Sequence, residues 1–188
     1  MTVTLTNKKW TLSARPETSV SKEHFNLETE TVRELVDGEF LVKNQYLAFE
    51  PAQRGWLNDV RSYLPPVAIG EVMRSAAAGE VIASKHSDYQ VGDLVQGSFG
   101  WQEYAISDGT GVFPVTKIPA GIPISYPLHI FGLTGLTAYF GLLDLGLPKA
   151  GETVLISGAA GATGSTVGQI AKLLGCRVIG IAGGEAKC

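Results

Sequence analysis

Three glycines spaced by three residues, Gly158, Gly161 and Gly164, mark the segment of this chain with the clearest chemical potential. The strict Gly-x-Gly-x-x-Gly pattern needs a further glycine at position 159, where the chain has Ala159. Small residues still let the backbone approach a pyrophosphate, and free amides at a helix start attract its negative charge. Because tight turns need glycine for other reasons, the segment is informative only with a strand before it and a helix after it.

The sequence around this turn supplies both elements. Residues 153–157 form a continuous apolar run, which is typical of a buried parallel strand. Residues 164–174 carry apolar side chains on one helical face, and residues 177–182 form a second β-rich run. A strand, a helix and a strand within about 30 residues predict a βαβ unit of the dinucleotide-binding type. The candidate cofactor-binding residues of its turn are Gly161, Ala162, Thr163 and Gly164.

The end of the second β-rich run bears on which nicotinamide cofactor fits. In NAD-specific domains an acidic residue about 20 residues beyond the glycines binds the ribose hydroxyls. This chain has Gly183 and Gly184 there, and Lys187 follows, where its charge can neutralise a 2′-phosphate. Glu185 acts against this preference, and a solvated surface lysine is the alternative interpretation of Lys187. We predict NADP(H) as the cofactor, with Gly183 and Lys187 among its contacts.

The earlier part of the chain is typical of short strands separated by turns. Short strands punctuated by glycine favour a compact, mostly β, barrel-like domain. Several prolines between positions 114 and 127 suit a connection between domains. We therefore predict two domains, residues 1–125 and 126–188, with a helix at 128–145 in the second. In the first domain, strands are expected at residues 39–47 and 101–106. Two more strands are expected to start at 70–73 and 79–83, and residues 91–97 are expected to set a turn in front of another strand.

Composition bears on partners and compartment. The chain has 188 residues and a net charge of −3, without a lysine or arginine run that would indicate a nucleic-acid partner. The apolar stretch at 122–147 is interrupted by prolines, glycines, a histidine and an aspartate, which argues against a membrane span. Cys176 and Cys188 make no disulfide framework, so we expect two free thiols in a reducing compartment. We predict a cytoplasmic protein without a nucleic-acid or membrane partner.

Several longer motifs extend over most of the chain. Toward the C-terminus these are GLTGLTAY at 132–139, PKAGETV at 148–154 and GATGSTVGQIAK at 161–172. In the first domain they are PAQRGW at 51–56, SYLPPV at 62–67, GEVM at 70–73 and YQVGDLV at 89–95. Together these motifs resemble the medium-chain dehydrogenase/reductase superfamily, and within it the prostaglandin/leukotriene reductase and curcumin reductase group of NADPH-dependent double-bond reductases.

The resemblance implies an α/β fold, in which a GroES-like β-barrel domain is followed by a truncated Rossmann-type domain. Family members continue for several strands and helices past this point, so we expect the chain to lack the rest of the cofactor domain. The activity implied is NADPH-dependent reduction of the C=C bond of α,β-unsaturated ketones and aldehydes, by a homodimer. If these residues are the whole protein, we expect impaired NADPH binding and little activity. A quinone reductase of the same superfamily and a non-catalytic dimerising fragment are the alternatives.

The residues argue against the zinc-dependent branch of this superfamily. A catalytic zinc site needs a triad of Cys, His and a second Cys or an acid. The His-Glu pair of that branch would fall near residues 69–71, where no histidine lies. His24, His86 and His129 are far apart in sequence and in unlike contexts, so we interpret them as structural or surface residues. We predict no metal.

A zinc-free double-bond reductase still has to stabilise an enolate oxygen and supply a proton. By resemblance, Tyr63 is the candidate pocket tyrosine, with a packed or surface aromatic as the alternative. The group's main catalytic tyrosine is expected beyond residue 188. Thr137 resembles a residue that lines the nicotinamide pocket, with a helix threonine bonded to its own turn as the alternative. The group commonly has an aromatic residue where this chain has Ala52, so its substrate pocket is expected to differ.

Overall fold

The computed structural model of the protein describes residues 5–111 and 113–187, so Cys188 lies outside the described residues. The chain divides into two compact units, Met1–Ser125 and Tyr126–Cys188. Two buried apolar clusters lie in the first unit and one lies in the second. No helix in the described ranges is long and apolar enough to span a membrane.

The described strands of the first unit are β1 (Thr6–Leu12), β2 (Phe25–Thr31), β3 (Phe40–Leu47), β4 (Ala77–Ser84), β5 (Leu94–Gly97), β6 (Tyr104–Ser107) and β7 (Thr116–Lys117). All of their pairings are antiparallel. Strands β1 and β2 form a two-stranded sheet, and the other five form a second sheet in the order β6-β3-β4-β5-β7.

A second cluster of buried side chains lies around the one α-helix described in this unit, α1 (Pro51–Trp56). Pro51 suits the first turn of a helix, where its missing amide has no partner to lose. Trp56 and Leu57 at the helix end are buried against Met73. The backbone amide of Val67 donates to the Trp56 carbonyl oxygen at 2.9 Å. Residues 57–66 therefore form a loop whose two ends are joined.

The second unit contains a parallel strand pair with a helix between the strands. Strand β8 (Thr153–Ser157) leads through a turn to α3 (Ala162–Leu173), and β9 (Arg177–Ile181) pairs parallel with β8. Earlier in the unit, α2 (Leu133–Phe140) continues into a π-helical segment, Gly141–Gly146. The core forms where one face of the sheet meets α3, because β8, α3 and β9 each direct apolar side chains there. Its members include Leu142, Val154, Val167, Ile170, Ala171, Cys176 and Val178.

Two expected elements differ from the structure. The strand expected at 70–73 is absent, because Gly70 takes a left-handed φ of 85° in a turn and Val72 makes only an isolated bridge with Thr11. The helix expected over 128–145 begins later, at Leu133, after a short 3-10 turn at Tyr126–Leu128. From there α2 continues into the π segment, which ends at Gly146, and the C-cap residue Leu147 has a left-handed φ of 45°.

Candidate dinucleotide-binding turn

The glycine-rich turn carries the chain from the end of β8 to the start of α3. Gly158 adopts a φ of 61°, a conformation that side chains with a Cβ rarely take. The next amide, that of Ala159, donates to the Ile181 carbonyl oxygen at 3.0 Å and so ties the turn to the end of β9. The Gly161 amide then donates back to the Gly158 carbonyl oxygen at 2.9 Å. The turn is thus fixed by its own backbone.

The start of α3 is open to an anion. Gly161 is the N-cap residue, in extended backbone, and no side chain caps the first turn. The hydroxyls of Ser165 and Thr166 donate to the Ala162 carbonyl oxygen, so neither hydroxyl acts as a cap. The first amides of a helix lack intrahelical partners and carry partial positive charge. An uncapped, backbone-lined start of this kind fits a pyrophosphate.

Gly164 shows that the turn needs a residue without a side chain. A Cβ at this position would collide with the Gly158 carbonyl oxygen and approach the Ala159 Cα at 3.0 Å. The close approach of strand end and helix start therefore requires glycine here. The structure brings together all four residues predicted in this turn, which are Gly161, Ala162, Thr163 and Gly164.

Gly183 and Lys187 lie just past the end of β9, which is the neighbour of β8. Because the two strands are parallel, their carboxyl ends lie at the same edge of the sheet, next to the glycine-rich turn. Gly184 has a φ of 82° and begins a 3-10 turn, Glu185–Lys187. The Lys187 side chain is exposed and makes no salt bridge within the described residues. A cation is therefore available near this edge.

Thr137 lies on α2 in the same unit. Its hydroxyl donates to the Leu133 carbonyl oxygen at 2.7 Å, as a helix threonine bonded to its own turn does. The residue is nevertheless exposed, and because the hydroxyl donates its proton, both oxygen lone pairs stay available to a ligand that donates. This geometry is the one expected of a helix threonine that bonds to its own turn, and a contact between Thr137 and nicotinamide stays a prediction.

Tyr63 belongs to the first unit, in the loop that follows α1. The residue is 71% exposed, and its hydroxyl oxygen accepts a hydrogen bond from Trp56 Nε1 at 2.9 Å. Ala52 is half-buried and packs against the same apolar cluster as Trp56. Burial raises the pKa of the Glu50 carboxyl, which directly precedes this helix. The sequence did not reveal the Trp56–Tyr63 bond, since no periodic pattern links positions seven residues apart across a loop.

The histidines are separate in the structure as well. His24 Nδ1 bonds with Ser21, whereas the His86 ring packs edge-on against Phe40. The His129 ring contacts Tyr126 in the other unit. In the part of the chain that the structure describes, no group of three or more His, Cys, Asp or Glu side chains is arranged to hold a metal ion.

Comparisons with known proteins agree on one group of enzymes. Residues 8–115 match the family described as the N-terminal domain of oxidoreductase. The chain is 45% identical over 182 residues to the NADPH-dependent curcumin reductase of Escherichia coli (strain K12), covering 97% of this chain and 52% of that protein. It is 40% identical over 184 residues to prostaglandin reductase 1 of Mus musculus, covering 96% and 53%.

A solved structure gives the same result at the level of the fold. CurA from Vibrio vulnificus, determined in complex with NADPH, superposes with a TM-score of 0.87 at 44% identity. The match covers 96% of this chain and 53% of that one. The chain thus spans about half the length of the curated relatives it matches.

Proposed function

We propose that the whole protein is an NADPH-dependent reductase of α,β-unsaturated ketones and aldehydes. The chain belongs to the oxidoreductase family whose N-terminal domain matches residues 8–115. This family is part of the zinc-free branch of the medium-chain dehydrogenase/reductase superfamily. The observation that carries the proposal is the uncapped, glycine-lined start of α3 beside the end of β9. The names of the two relatives and the cofactor in the CurA complex support the same chemistry.

The residues of the second unit have distinct roles in this proposal. The amides of Ala162, Thr163 and Gly164, with Gly161 before them, hold the pyrophosphate. Gly183 leaves room for the adenosine ribose, since nothing lies within 4 Å of where its Cβ would be. Lys187 pairs with the 2′-phosphate, and Thr137 contacts the nicotinamide end. The bound NADPH supplies the hydride that reduces the alkene.

In the first unit, Tyr63 is the residue that we propose to act on the substrate, beside the main catalytic tyrosine that the resemblance implies beyond residue 188. Its exposed hydroxyl can donate to the carbonyl oxygen of an enone, where negative charge develops during reduction. The same hydroxyl can supply the proton that completes the reaction. Ala52 leaves more space beside α1 than an aromatic residue would, so we propose that bulkier enones are accepted.

We further propose a cytoplasmic homodimer that acts on small molecules. The family resemblance supports the dimer, and the small number of cysteines supports a reducing compartment.

A quinone reductase is the rival activity within the same superfamily. Assays of the whole protein with a linear enone and with a simple quinone, each at equal NADPH, separate the two. Turnover of the quinone alone would contradict the proposal.

Cofactor choice is tested by titrating the protein with NADPH and NADH while following tryptophan fluorescence. Lys187→Ala is expected to weaken NADPH binding about tenfold, because a charge-assisted contact is lost. NADH binding should not change, because NADH has no 2′-phosphate. Lys172→Ala is the matched control, since Lys172 is an exposed lysine in the last turn of α3. Equal NADPH affinity in Lys187→Ala and Lys172→Ala would exclude Lys187 as the phosphate contact.

A further inference from the structure

Within the described residues, the hydroxyl of Tyr63 is hydrogen-bonded to one side chain, that of Trp56. The indole Nε1 of Trp56 donates to the Tyr63 hydroxyl oxygen at 2.9 Å. An indole N–H can only donate, whereas a tyrosine hydroxyl has one proton and two acceptor lone pairs. The bond therefore occupies one lone pair and leaves the hydroxyl proton free to point elsewhere. Because Tyr63 is 71% exposed, that proton is available to a ligand.

Trp56 is itself rigidly held. Only 5% of its surface is exposed, and it packs in the cluster around Met73. The guanidinium of Arg74 lies over the indole ring at 5.7 Å from its centroid, a cation–π contact. Arg74 also donates to the Pro65 carbonyl oxygen at 2.9 Å, two residues from Tyr63. Trp56, which donates the hydrogen bond to Tyr63, is thus held in place by the core.

The loop that carries Tyr63 is fixed at several points. Its ends are joined by the bond from the Val67 amide to the Trp56 carbonyl oxygen. Arg15 donates to the Leu57 carbonyl oxygen at 2.8 Å near the beginning of the loop. Compact loops with joined ends are packed by their own side chains and often carry function. Here the hydrogen bond that the structure describes at the Tyr63 hydroxyl comes from Trp56, and it sets the direction of that hydroxyl.

We propose that Trp56 is a positioning residue, which orients the Tyr63 hydroxyl as a proton donor toward the substrate carbonyl group. The inference rests on the proposed reductase function. During reduction the β-carbon of the alkene gains a hydride from NADPH, which is oxidised to NADP⁺, and the enolate oxygen gains a proton from Tyr63 Oη. The enol that results tautomerises to the saturated carbonyl compound. The indole N–H stabilises the negative charge that Tyr63 then carries, because a donor aimed at developing charge lowers its free energy. Water reprotonates the exposed hydroxyl.

A first test needs no activity. The protein has three tryptophans, so its ¹H–¹⁵N spectrum contains three indole signals to assign through the backbone resonances. Tyr63→Phe removes the acceptor but leaves Trp56 in the core. The Trp56 indole signal is expected to move more than those of Trp10 and Trp101. An unmoved Trp56 signal would overturn the inference, whether or not the protein is an enzyme.

The second test compares kcat and KM for a linear enone in the whole protein. Tyr63→Phe is expected to lower kcat about 100-fold, as loss of an oxyanion donor does. Trp56→Phe should lower kcat about tenfold with little change in KM, because the hydroxyl remains but is poorly aimed. In the Tyr63→Phe background, Trp56→Phe should cause no further loss, since the two residues act as one unit.

Trp101→Phe is the matched control. Trp101 packs against the same cluster, but its buried Nε1 has no hydrogen-bond partner within the described residues. Its kcat should stay within about twofold of the wild-type value. If Trp56→Phe lowered kcat about tenfold in the Tyr63→Phe background as well, Trp56 would have a merely structural role, and the inference would be overturned. A wild-type protein that reduces no enone would instead overturn the proposed function, and with it this role for Trp56.

Discussion

The two glycines at the ends of the cofactor turn meet different steric requirements. Gly158 needs a left-handed φ, whereas Gly164 needs space because the Gly158 carbonyl oxygen lies where its Cβ would be. We expect Gly164→Ala to destabilise the protein by about 1–3 kcal/mol, the usual range for overpacking. NADPH binding should weaken as well, because the turn can relieve the collision only by moving away from α3. Thermal unfolding and a fluorescence titration measure the two effects.

Gly141→Ala supplies the control for this substitution. Gly141 has helical backbone angles and nothing lies within 4 Å of where a Cβ would be. Alanine should therefore leave stability unchanged or raise it by up to about 1 kcal/mol. If Gly164→Ala and Gly141→Ala behaved alike, the close approach at the turn would not constrain the sequence.

At the residue scale, the sequence predicted what depends on spacing along one element. The spacing of the glycines was enough to place Gly161 and Gly164 at a helix start, where the structure has them. The bond between Trp56 and Tyr63 depends instead on the path of a ten-residue loop closed by a backbone bond from Val67. No rule of periodicity reports such a path, so this contact became visible only in the structure.

At the scale of the elements, the connection between β2 and β3 contains an ion pair, Arg33–Glu39, that depends on pH. Arg33 donates to both carboxylate oxygens of Glu39, at 2.6 and 2.7 Å, and the Val36 amide donates to the same carboxylate. The Arg33 bond, with the Val36 amide second, lowers the pKa of Glu39 from 4.5 to about 2. Because folding lowers this pKa, the carboxylate stabilises the native state at pH values above its unfolded pKa of 4.5. This stabilisation is lost as the pH falls toward about 2.

We therefore expect Glu39→Gln to lower the melting temperature at neutral pH by a small amount, since the Arg33 side of the pair is exposed to solvent. The difference from the wild-type protein should close as the pH falls from 4.5 to about 2, where Glu39 becomes protonated. Melting curves across this range provide the measurement. Glu34→Gln is the control, because the Glu34 carboxylate has no hydrogen-bonding partner in the described part of the chain. A difference that persists near pH 2 would mean that the ion pair is not its source.

Element boundaries were predictable where one face of a segment is buried in a regular pattern. The apolar run at 153–157 is β8, and the second β-rich run contains β9. Strand β2 gave no such signal, because only Phe25 of its seven residues is buried and the side chains do not alternate. The expected strand at 70–73 failed for a different reason: Gly70 lies in a turn, and Val72 makes only an isolated bridge, although Met73 is buried in the core.

The predicted family and fold class are confirmed for the molecule as a whole. The matching family and the CurA structure support a GroES-like domain followed by a Rossmann-type unit. Fold class was accessible from sequence because the βαβ pattern and the short-strand pattern are each local. The roles of Tyr63, Thr137 and Lys187 stay predictions, because they depend on where a substrate and a cofactor bind.

At the scale of the whole molecule, one face of the β8–β9 sheet exposes apolar side chains that favour self-association of the chain in solution. Val154, Ile156 and Val178 turn toward α3, and the opposite face is apolar and open. On that face Leu155 is 63% exposed, its strand partner Ile179 41% and Ile181 53%. Adjacent exposed apolar side chains on a sheet favour association, because contact removes them from water. We expect these residues to make the 188-residue chain self-associate as its concentration rises.

Leu155→Lys should raise the monomer fraction at a given concentration, because a charge in the centre of this face opposes its burial. The substitution should change the free energy of unfolding by no more than about 0.5 kcal/mol, since the side chain is not part of the core. Sedimentation velocity over a range of concentrations measures the first effect and thermal unfolding the second. Leu173→Lys is the control, because Leu173 is 88% exposed at the end of α3, away from the sheet. If both variants associated as the wild-type chain does, another surface would have to hold the copies together.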